Sequence, residues 1–315
     1  MIRMARKEAE CLLENPNVVG VGIGLSAGKP AIVVSLVGLP EEPLPAQICG
    51  VPTRVVVTGR FVALQDRTAK WRPAPGGVSI GHKAITAGTI GCLVTRDGEW
   101  FILSNNHVLA NMNNAVVGDE ILQPGVYDNG SVPDDVIATL EDFVPVKFML
   151  DIGDCPIAKS VANGFNAVAR FFGTKSRMSA IRLSSETNLV DAAIARPINL
   201  DDVIRDVLGI QTPSGHREIA LGDAIVKSGR TTGVTRGTVT QIDATLQIMY
   251  GNNIAVFEQQ IVTDAFCGGG DSGSIVLADD GGGNVVGLLF AGSEDGGTMI
   301  MCRIQNVLDL LGVAI

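Results

Sequence analysis

Long apolar runs are missing from this chain of 315 residues. No segment approaches the roughly 18 consecutive apolar residues of a membrane-crossing helix, so a membrane is not an expected partner. The opening stretch, MIRMARKEAECLLENP, has neither a continuous apolar core nor a small-residue cleavage site, which points away from a secretory leader and toward a cytoplasmic protein. Basic clusters are missing too. Lys and Arg number 24 against 33 Asp and Glu, for a net charge of −9, and the basic residues are scattered. Nucleic acid is therefore not an expected partner either. The six cysteines (Cys11, Cys49, Cys92, Cys155, Cys267, Cys302) include no C-x-x-C, which removes the usual zinc spacings. With no export leader, reduced and mostly buried thiols are expected. Asp119, Asp128 and Asn129 fit no EF-hand spacing, so no metal is expected, and no cofactor. Nucleotide loops fail as well. Three residues lie between Gly24 and Gly28-Lys29 where a phosphate loop needs four, Pro30 follows the lysine, and a strand pattern follows the glycines instead of a helix.

What is present is a globular composition, 46% hydrophobic and 18% charged, with 38 glycines for tight turns. Residues 4–14 read as a short helix ended by Asn15-Pro16. Val18–Leu25 and Ala31–Leu39 read as a hairpin, and Val51–Val57 and Arg60–Leu64 as further strands. Residues 1–70 thus suggest a small α+β unit with a regulatory or assembly role. Trp71-Arg72-Pro73-Ala74-Pro75-Gly76-Gly77 marks a junction. Beyond it, in 71–315, short apolar strands alternate with turns: Thr89–Thr95, Trp100–Ser104, Val136–Leu140, Ala224–Ser228, Gly237–Asp243, Thr245–Tyr250, Val256–Val262, Gly273–Ala278 and Val285–Ala291. This spacing favours an all-β barrel or sandwich. Ile157, Val161, Phe165, Val168 and Phe172 recur at helical steps, predicting a helical insertion near 155–175. Asp201–Leu208 reads as a second short helix and Ile304–Leu311 as a closing amphipathic one.

Three short stretches carry chemistry. Gly268-Gly269-Gly270-Asp271-Ser272-Gly273 places a serine on a glycine turn, where crowded backbone N–H groups can face a developing oxyanion. Only three histidines exist, and His107 follows an apolar strand in Ser104-Asn105-Asn106-His107-Val108, where a rigid scaffold would position a general base. His82 and His216 have no such setting. Asp191 interrupts the apolar run Leu189–Ala195; a carboxylate there needs a hydrogen-bonded partner, which the imidazole of His107 would supply. Asp135, in Asp134-Asp135-Val136, is the rival acid, though it sits in a polar loop. In this scheme Ser272 attacks a carbonyl carbon, His107 takes its proton, Asp191 holds the imidazole, and the N–H groups of Gly270 and Ser272 bind the oxyanion. The order His, Asp, Ser is one of the known triad orders. Arg230-Thr231-Thr232-Gly233 reads as a strand turn.

The set SNNHVLA, VDAAIA and GGGDSGS resembles the trypsin-like, chymotrypsin-fold serine peptidases over residues 76–312. The phrases GGVSIGHKAITAGTIGCLV and VKSGRTTGVTRG are similar to intracellular bacterial members and to plant narrow-leaf-type peptidases, which also carry a small N-terminal α/β region. The resemblance implies a mainly β fold of two six-stranded antiparallel barrels, with the site between them, and a protein or peptide substrate. Gly287–Ser293 is similar to the family's G-I-V-S-W-G-S, so Phe290, Ala291 and Gly292 would contact substrate. The family often has serine where Phe290 stands, so this chain departs from the pattern at one hydrogen bond near the triad acid. No I-V-G-G activation sequence is present, so Asp271 is not expected to await a freed N-terminus. The family's pocket floor falls near Phe266, implying a non-acidic floor, with Asp264, Glu294 and Asp295 close by. The expected function is a serine endopeptidase, with a homo-oligomer allowed; a latent peptidase-fold scaffold and an esterase are the alternatives.

Overall fold

The structure is a computed structural model that describes residues 1–40, 43–61, 66–85, 87–152, 155–174, 178, 181–183 and 186–315. The chain divides into two compact units, Met1–Gln65 and Asp66–Ile315. Among the described residues no helix is long and apolar enough to cross a membrane.

In the first unit, a helix at Ile2–Glu8 tightens into a 3-10 segment at Ala9–Glu14. The glycine-rich run that fails as a nucleotide loop forms the hairpin Val18–Ser26/Lys29–Leu36. Val51–Val57 pairs parallel to the second of these strands. Ala5 and Ala9 pack with Val18, Ile32, Val34, Leu36 and Val51. Of the strand expected at Arg60–Leu64, residues 62–64 lie outside the described residues, and residues 60–61 are not strand.

The second unit is mainly β and contains two barrel-like sheets. In the first, strands Ser79–His82, Gly88–Thr89, Cys92–Arg96, Glu99–Ser104, Glu120–Leu122, Val136–Phe143 and Ala193–Pro197 pair antiparallel. Gly88–Thr89 and Cys92–Arg96 lie at opposite ends of the sheet order, yet only Ile90 and Gly91 separate them. The sheet therefore closes on itself and has six strands in effect. The second sheet joins Ala224–Gly229, Gly233–Tyr250, Asn253–Thr263, Ile275–Ala278, Asn284–Gly292 and Met299–Arg303, and closes through the pairing of the last two. Gly215–His216 adds a short parallel edge.

Period-2 alternation explains why these strands read as continuous apolar runs. Ile102, Leu93, Ala193 and Ala195 fill the first barrel, while Val276, Ala278, Leu289 and Met301 fill the second. Their neighbours Phe101, Leu103, Val94, Ile194, Ile275, Leu277, Leu288, Phe290 and Cys302 face the other way into one shared core. Where these residues lie, both faces of the strand are buried and no polar alternation is left to see, as in Ile275–Ala278. Helix Ile304–Leu311 adds Ile304, Val307, Leu308 and Leu311 to that core, at i, i+3, i+4 and i+7, and ends at Gly312 in the left-handed region.

Three expectations need correction. Asp201–Leu208 is a 3-10 turn at Leu200–Asp202 followed by strand Val203–Val207, which pairs parallel with Ala74–Gly76. Val203 and Val207 are four apart, a spacing that shares a face in a strand as well as in a helix, and the β-branched side chains decide for the strand. The two strands expected at Gly237–Asp243 and Thr245–Tyr250 are one, Gly233–Tyr250, with an irregularity where Asp243 takes φ +52°. The six thiols are free but only half of them are buried: Cys92, Cys267 and Cys302, against exposed Cys11, Cys49 and Cys155. The insertion helix runs Pro156–Phe171, while residue 175 lies outside the described residues.

Candidate active site

Each candidate side chain sits where a strand ends. Strand Glu99–Ser104 runs into a one-turn helix, Asn106–Leu109, that carries His107. The three polar residues before the histidine fasten this corner. The Ser104 hydroxyl donates to the Thr89 carbonyl (2.8 Å), and the Asn105 amide donates to the Asp191 carbonyl (2.7 Å). Asn106 donates to the Asn113 side chain (2.7 Å) and to the Val144 carbonyl (2.8 Å). All three are fully buried, so each of these bonds replaces one lost to water.

Asp191 precedes strand Ala193–Pro197 and is fully buried between Val190 and Ala192. Its Oδ2 lies 2.6 Å from His107 Nδ1, and its Oδ1 accepts the His107 backbone N–H at 3.2 Å. Burial pushes the Asp191 carboxyl up. The charge of His107 and the hydrogen bonds from His107 and Tyr250 outweigh it, so the group lies below its ordinary pKa. An ionised carboxylate needs a donor, which places the imidazole proton on Nδ1 and leaves Nε2 as an acceptor. The rival Asp135 instead takes an ion pair from Lys70 (2.9 Å) and the Ser131 N–H (2.9 Å).

Ser272 is half-buried on the turn before strand Ile275–Ala278. Its carbonyl accepts the Thr89 N–H at 2.8 Å. A Cβ added at Gly88 would strike both the Val108 side chain and the Ser272 carbonyl, so the serine turn packs beside the helix that carries His107. The Ser272 hydroxyl donates to the Phe290 carbonyl at 3.4 Å, a long and weak bond. Among the described residues, no hydrogen bond joins Ser272 to His107.

The turn is set for anion binding by where its carbonyls go. The Gly269 carbonyl accepts from Thr231 Oγ1 (2.7 Å), and the Asp271 carbonyl from the N–H (3.0 Å) and hydroxyl (2.5 Å) of Ser274. In a trans peptide the N–H points opposite to the C=O, so the N–H groups of Gly270 and Ser272 face away from these anchors. Among the described residues neither has a protein acceptor. Gly270 and Gly273 both take φ +93°, a region that favours glycine, and a Cβ at Gly273 would lie 2.1 Å from Ser104 Oγ.

Beneath the turn, Asp271 is fully buried and receives Lys227 Nζ at 3.0 Å, a lysine that is itself fully buried. Its carboxylate also accepts from Thr232 Oγ1 (2.5 Å) and from the N–H groups of Thr231 (2.8 Å), Thr232 (3.0 Å) and Gly268 (3.0 Å). Burial pushes the Asp271 carboxyl up, but Lys227 and Thr232 outweigh it and hold it below its ordinary range. The turn's anion thus has an internal cation, from strand Ala224–Gly229.

A pocket of about 190 Å³ opens beside Ser272, lined by Cys267, Gly269, Leu289, Ala291, Gly292 and Glu294 among others. Of the three residues expected to contact substrate, Ala291 and Gly292 line this pocket, whereas Phe290 is buried and does not. Phe266 is not in its wall; it is 53% exposed, and Glu294 lies at the pocket instead. Asp128 is taken up by Ser79 and Arg230, and Asp119 by His82 and Lys83. Among the described residues no cluster of three or more His, Cys, Asp or Glu could hold a metal.

Two residues of the site went unread in the sequence. Lys227 had a signal, a lone charge in the apolar strand Ala224-Ile225-Val226-Lys227. Tyr250 had almost none. It ends strand Gly233–Tyr250, and its hydroxyl donates to Asp191 Oδ2 at 2.7 Å.

No protein-family model matches the chain, and no curated protein matches it. Similar solved structures include Thermobifida fusca protease A, at 18% identity over 76% of this chain and 98% of that one (TM-score 0.48). They also include the chymotrypsin of Cellulomonas bogoriensis (18% identity, 76% and 96% covered, TM-score 0.47) and a glutamic acid-specific serine protease (21%, 77% and 100%, TM-score 0.49). The structures to which this chain is similar are chymotrypsin-fold serine proteases of bacteria.

Proposed function

We propose that the chain is a serine endopeptidase that works through an acyl-enzyme. The observation that carries this reading is the buried Asp191 bonded at 2.6 Å to His107 Nδ1, on a corner packed against the Ser272 turn. Ser272 Oγ is the nucleophile, and its proton passes to His107 Nε2 as the Oγ–carbon bond forms. Asp191 holds the imidazole in the tautomer that can accept it and stabilises the imidazolium that results. The carbonyl oxygen, now an oxyanion, takes the N–H groups of Gly270 and Ser272. His107 then returns the proton to the leaving amine. Water repeats the sequence on the acyl-enzyme and releases the acid. The long Ser272–Phe290 bond is weak enough to exchange for one to the imidazole, and such bonds tighten when substrate is bound. That same bond favours a second reading, a latent enzyme whose serine waits for a partner.

The pocket beside Ser272 would take the substrate side chain. Its walls are small, and Glu294 is the one carboxylate among its lining residues, so basic and uncharged side chains are favoured over acidic ones. Exposure to a fluorophosphonate probe tests the chemistry. Intact mass is expected to rise by one adduct at Ser272, and the adduct to vanish in Ser272→Ala. An unlabelled wild type under all conditions refutes the enzyme reading. Cleavage of a peptide library, with matched esters compared with amides, separates an endopeptidase from an esterase.

A further inference from the structure

We propose that Tyr250 is a positioning residue for the triad, its hydroxyl supplying Asp191 with the hydrogen bond that strand Asn284–Gly292, carrying Phe290, does not. This rests on the triad reading above. Without Tyr250, both bonds to Asp191's carboxylate oxygens come from one residue, the N–H and Nδ1 of His107. Two donors on one neighbour let acid and imidazole drift together. A third donor from elsewhere fixes the carboxylate plane, and with it the ring.

Tyr250 comes from elsewhere. His107 and Asp191 stand at the ends of first-barrel strands, whereas Tyr250 lies at the tip of the second-barrel hairpin Gly233–Tyr250/Asn253–Thr263. Ser272 also belongs to the second barrel. The tyrosine therefore ties the base–acid pair to the half of the molecule that carries the nucleophile. The hairpin tip is anchored where this matters. The Ile254 carbonyl accepts the Met149 N–H, and the Val256 carbonyl the N–H of Asn188, three residues before Asp191, both at 2.8 Å.

An aromatic layer accounts for the exchange of partners. Phe290 packs on Phe257 with centroids 4.7 Å apart, Phe257 on Tyr250 at 6.2 Å, and Phe148 meets Tyr250 edge-on at 6.1 Å. The Tyr250 ring sits 5.8 Å from the His107 ring. Position 290 offers Asp191 no hydroxyl, and the layer to which Phe290 belongs carries the one at Tyr250. Burial and the nearby Asp191 charge push the Tyr250 hydroxyl well above its ordinary pKa, so it remains a donor at any working pH. The groups facing the Asp191 carboxyl are His107, Tyr250 and the Cys302 thiol behind the Asp191 N–H.

Tyr250→Phe is the test, because it keeps the ring and removes only the oxygen. The fluorophosphonate labelling rate of Ser272 is expected to fall by about 10- to 100-fold through misorientation of the base, with probe affinity unchanged. With one donor gone, more carboxylate charge falls on the imidazolium, so the acid limb of the rate–pH profile moves to higher pH. The proton of His107 Nδ1, read by NMR in the folded protein, shifts in the same variant. A packing role alone predicts a wild-type rate, limb and resonance in Tyr250→Phe and a lowered melting temperature only in Tyr250→Leu; that result overturns the proposal. If wild type itself fails to label, the triad reading falls. The Nδ1 proton then still decides whether Tyr250 positions Asp191, by shifting or staying in Tyr250→Phe.

Discussion

Lys227→Met is the most informative single change outside the proposed catalytic side chains. The lysine and Asp271 are fully buried and 3.0 Å apart, and Lys227 Nζ also donates to Thr232 Oγ1 and to the Gly233 carbonyl (3.2 Å). Methionine fills much the same volume, so the loss is of charge and not of packing. What remains is a buried carboxylate with four neutral donors and no cation bonded to it, Arg67 and Arg230 acting only through space. Breaking a buried pair from one side costs about 3–5 kcal/mol, which for a unit of this size corresponds to a fall of about 6–20 °C in melting temperature. Removing both charges should cost less, because no ion is then stranded. Lys227→Met/Asp271→Asn is accordingly expected to melt above Lys227→Met alone, the signature of coupling in a double-mutant cycle. Circular dichroism melts and urea titrations read both variants. A single variant that melts within about 2 °C of wild type would refute the view that the pair holds this turn together. The same variant should label slowly, because Asp271 lies between the two N–H donors, and one lost oxyanion donor costs about 100- to 1000-fold.

The other expectations are quickly stated. Gly273→Ala places a Cβ 2.1 Å from Ser104 Oγ and 2.3 Å from the Thr89 carbonyl at φ +93°, and should destabilise by more than about 4 kcal/mol in a urea titration. Asp191→Asn should slow labelling by roughly 10⁴-fold, through the wrong imidazole tautomer, while Asp135→Asn leaves the rate unchanged. Acid should unfold the protein from about pH 4 downward. Asp119, held at about 2 chiefly by the Val116 N–H bond, and Asp191 and Asp271, both below the ordinary carboxylate value, stay ionised in the fold where the unfolded chain takes up protons. Their stabilisation is complete above the unfolded value and is lost as pH falls through the folded ones, so melts between pH 5 and pH 2 should show a steep decline below about pH 4.

The parts of the site legible in the sequence were those in which chemistry interrupts a pattern. Asp191 stands in an apolar run and His107 directly after one, and a carboxylate in such company must have a partner. Many strands were legible as elements, though Ser79–His82, Glu120–Leu122, Ala193–Pro197 and Met299–Arg303 were not, and pairing was legible only across short hairpins such as Val18–Ser26/Lys29–Leu36. A run such as Ile275-Val276-Leu277-Ala278, buried on both faces, has no polar side to say which strand it meets beyond its own hairpin with Asn284–Gly292. Val203–Val207 failed for a related reason, since a four-residue spacing is common to helix and strand. Phe266 failed because counting six residues back from Ser272 cannot say which side chain turns inward: Cys267, the next residue, lines the pocket with its sulfur near Gly292, and Phe266 is exposed.

Tyr250 marks the boundary of what a linear reading can reach. Nothing within ten residues of it is catalytic, and Tyr-Gly-Asn-Asn reads as the end of one strand and the start of a turn. The departure at Phe290 raised the question of one hydrogen bond near Asp191, but gave no sign of Tyr250. That required the length of the hairpin. An 18-residue strand, bent near Asp243, carries its last residue off the second barrel and onto the first. A shorter strand would have left the carboxylate with His107 alone. The end of the long strand and Phe290, separated by forty residues of chain, are joined by one aromatic layer through Phe257.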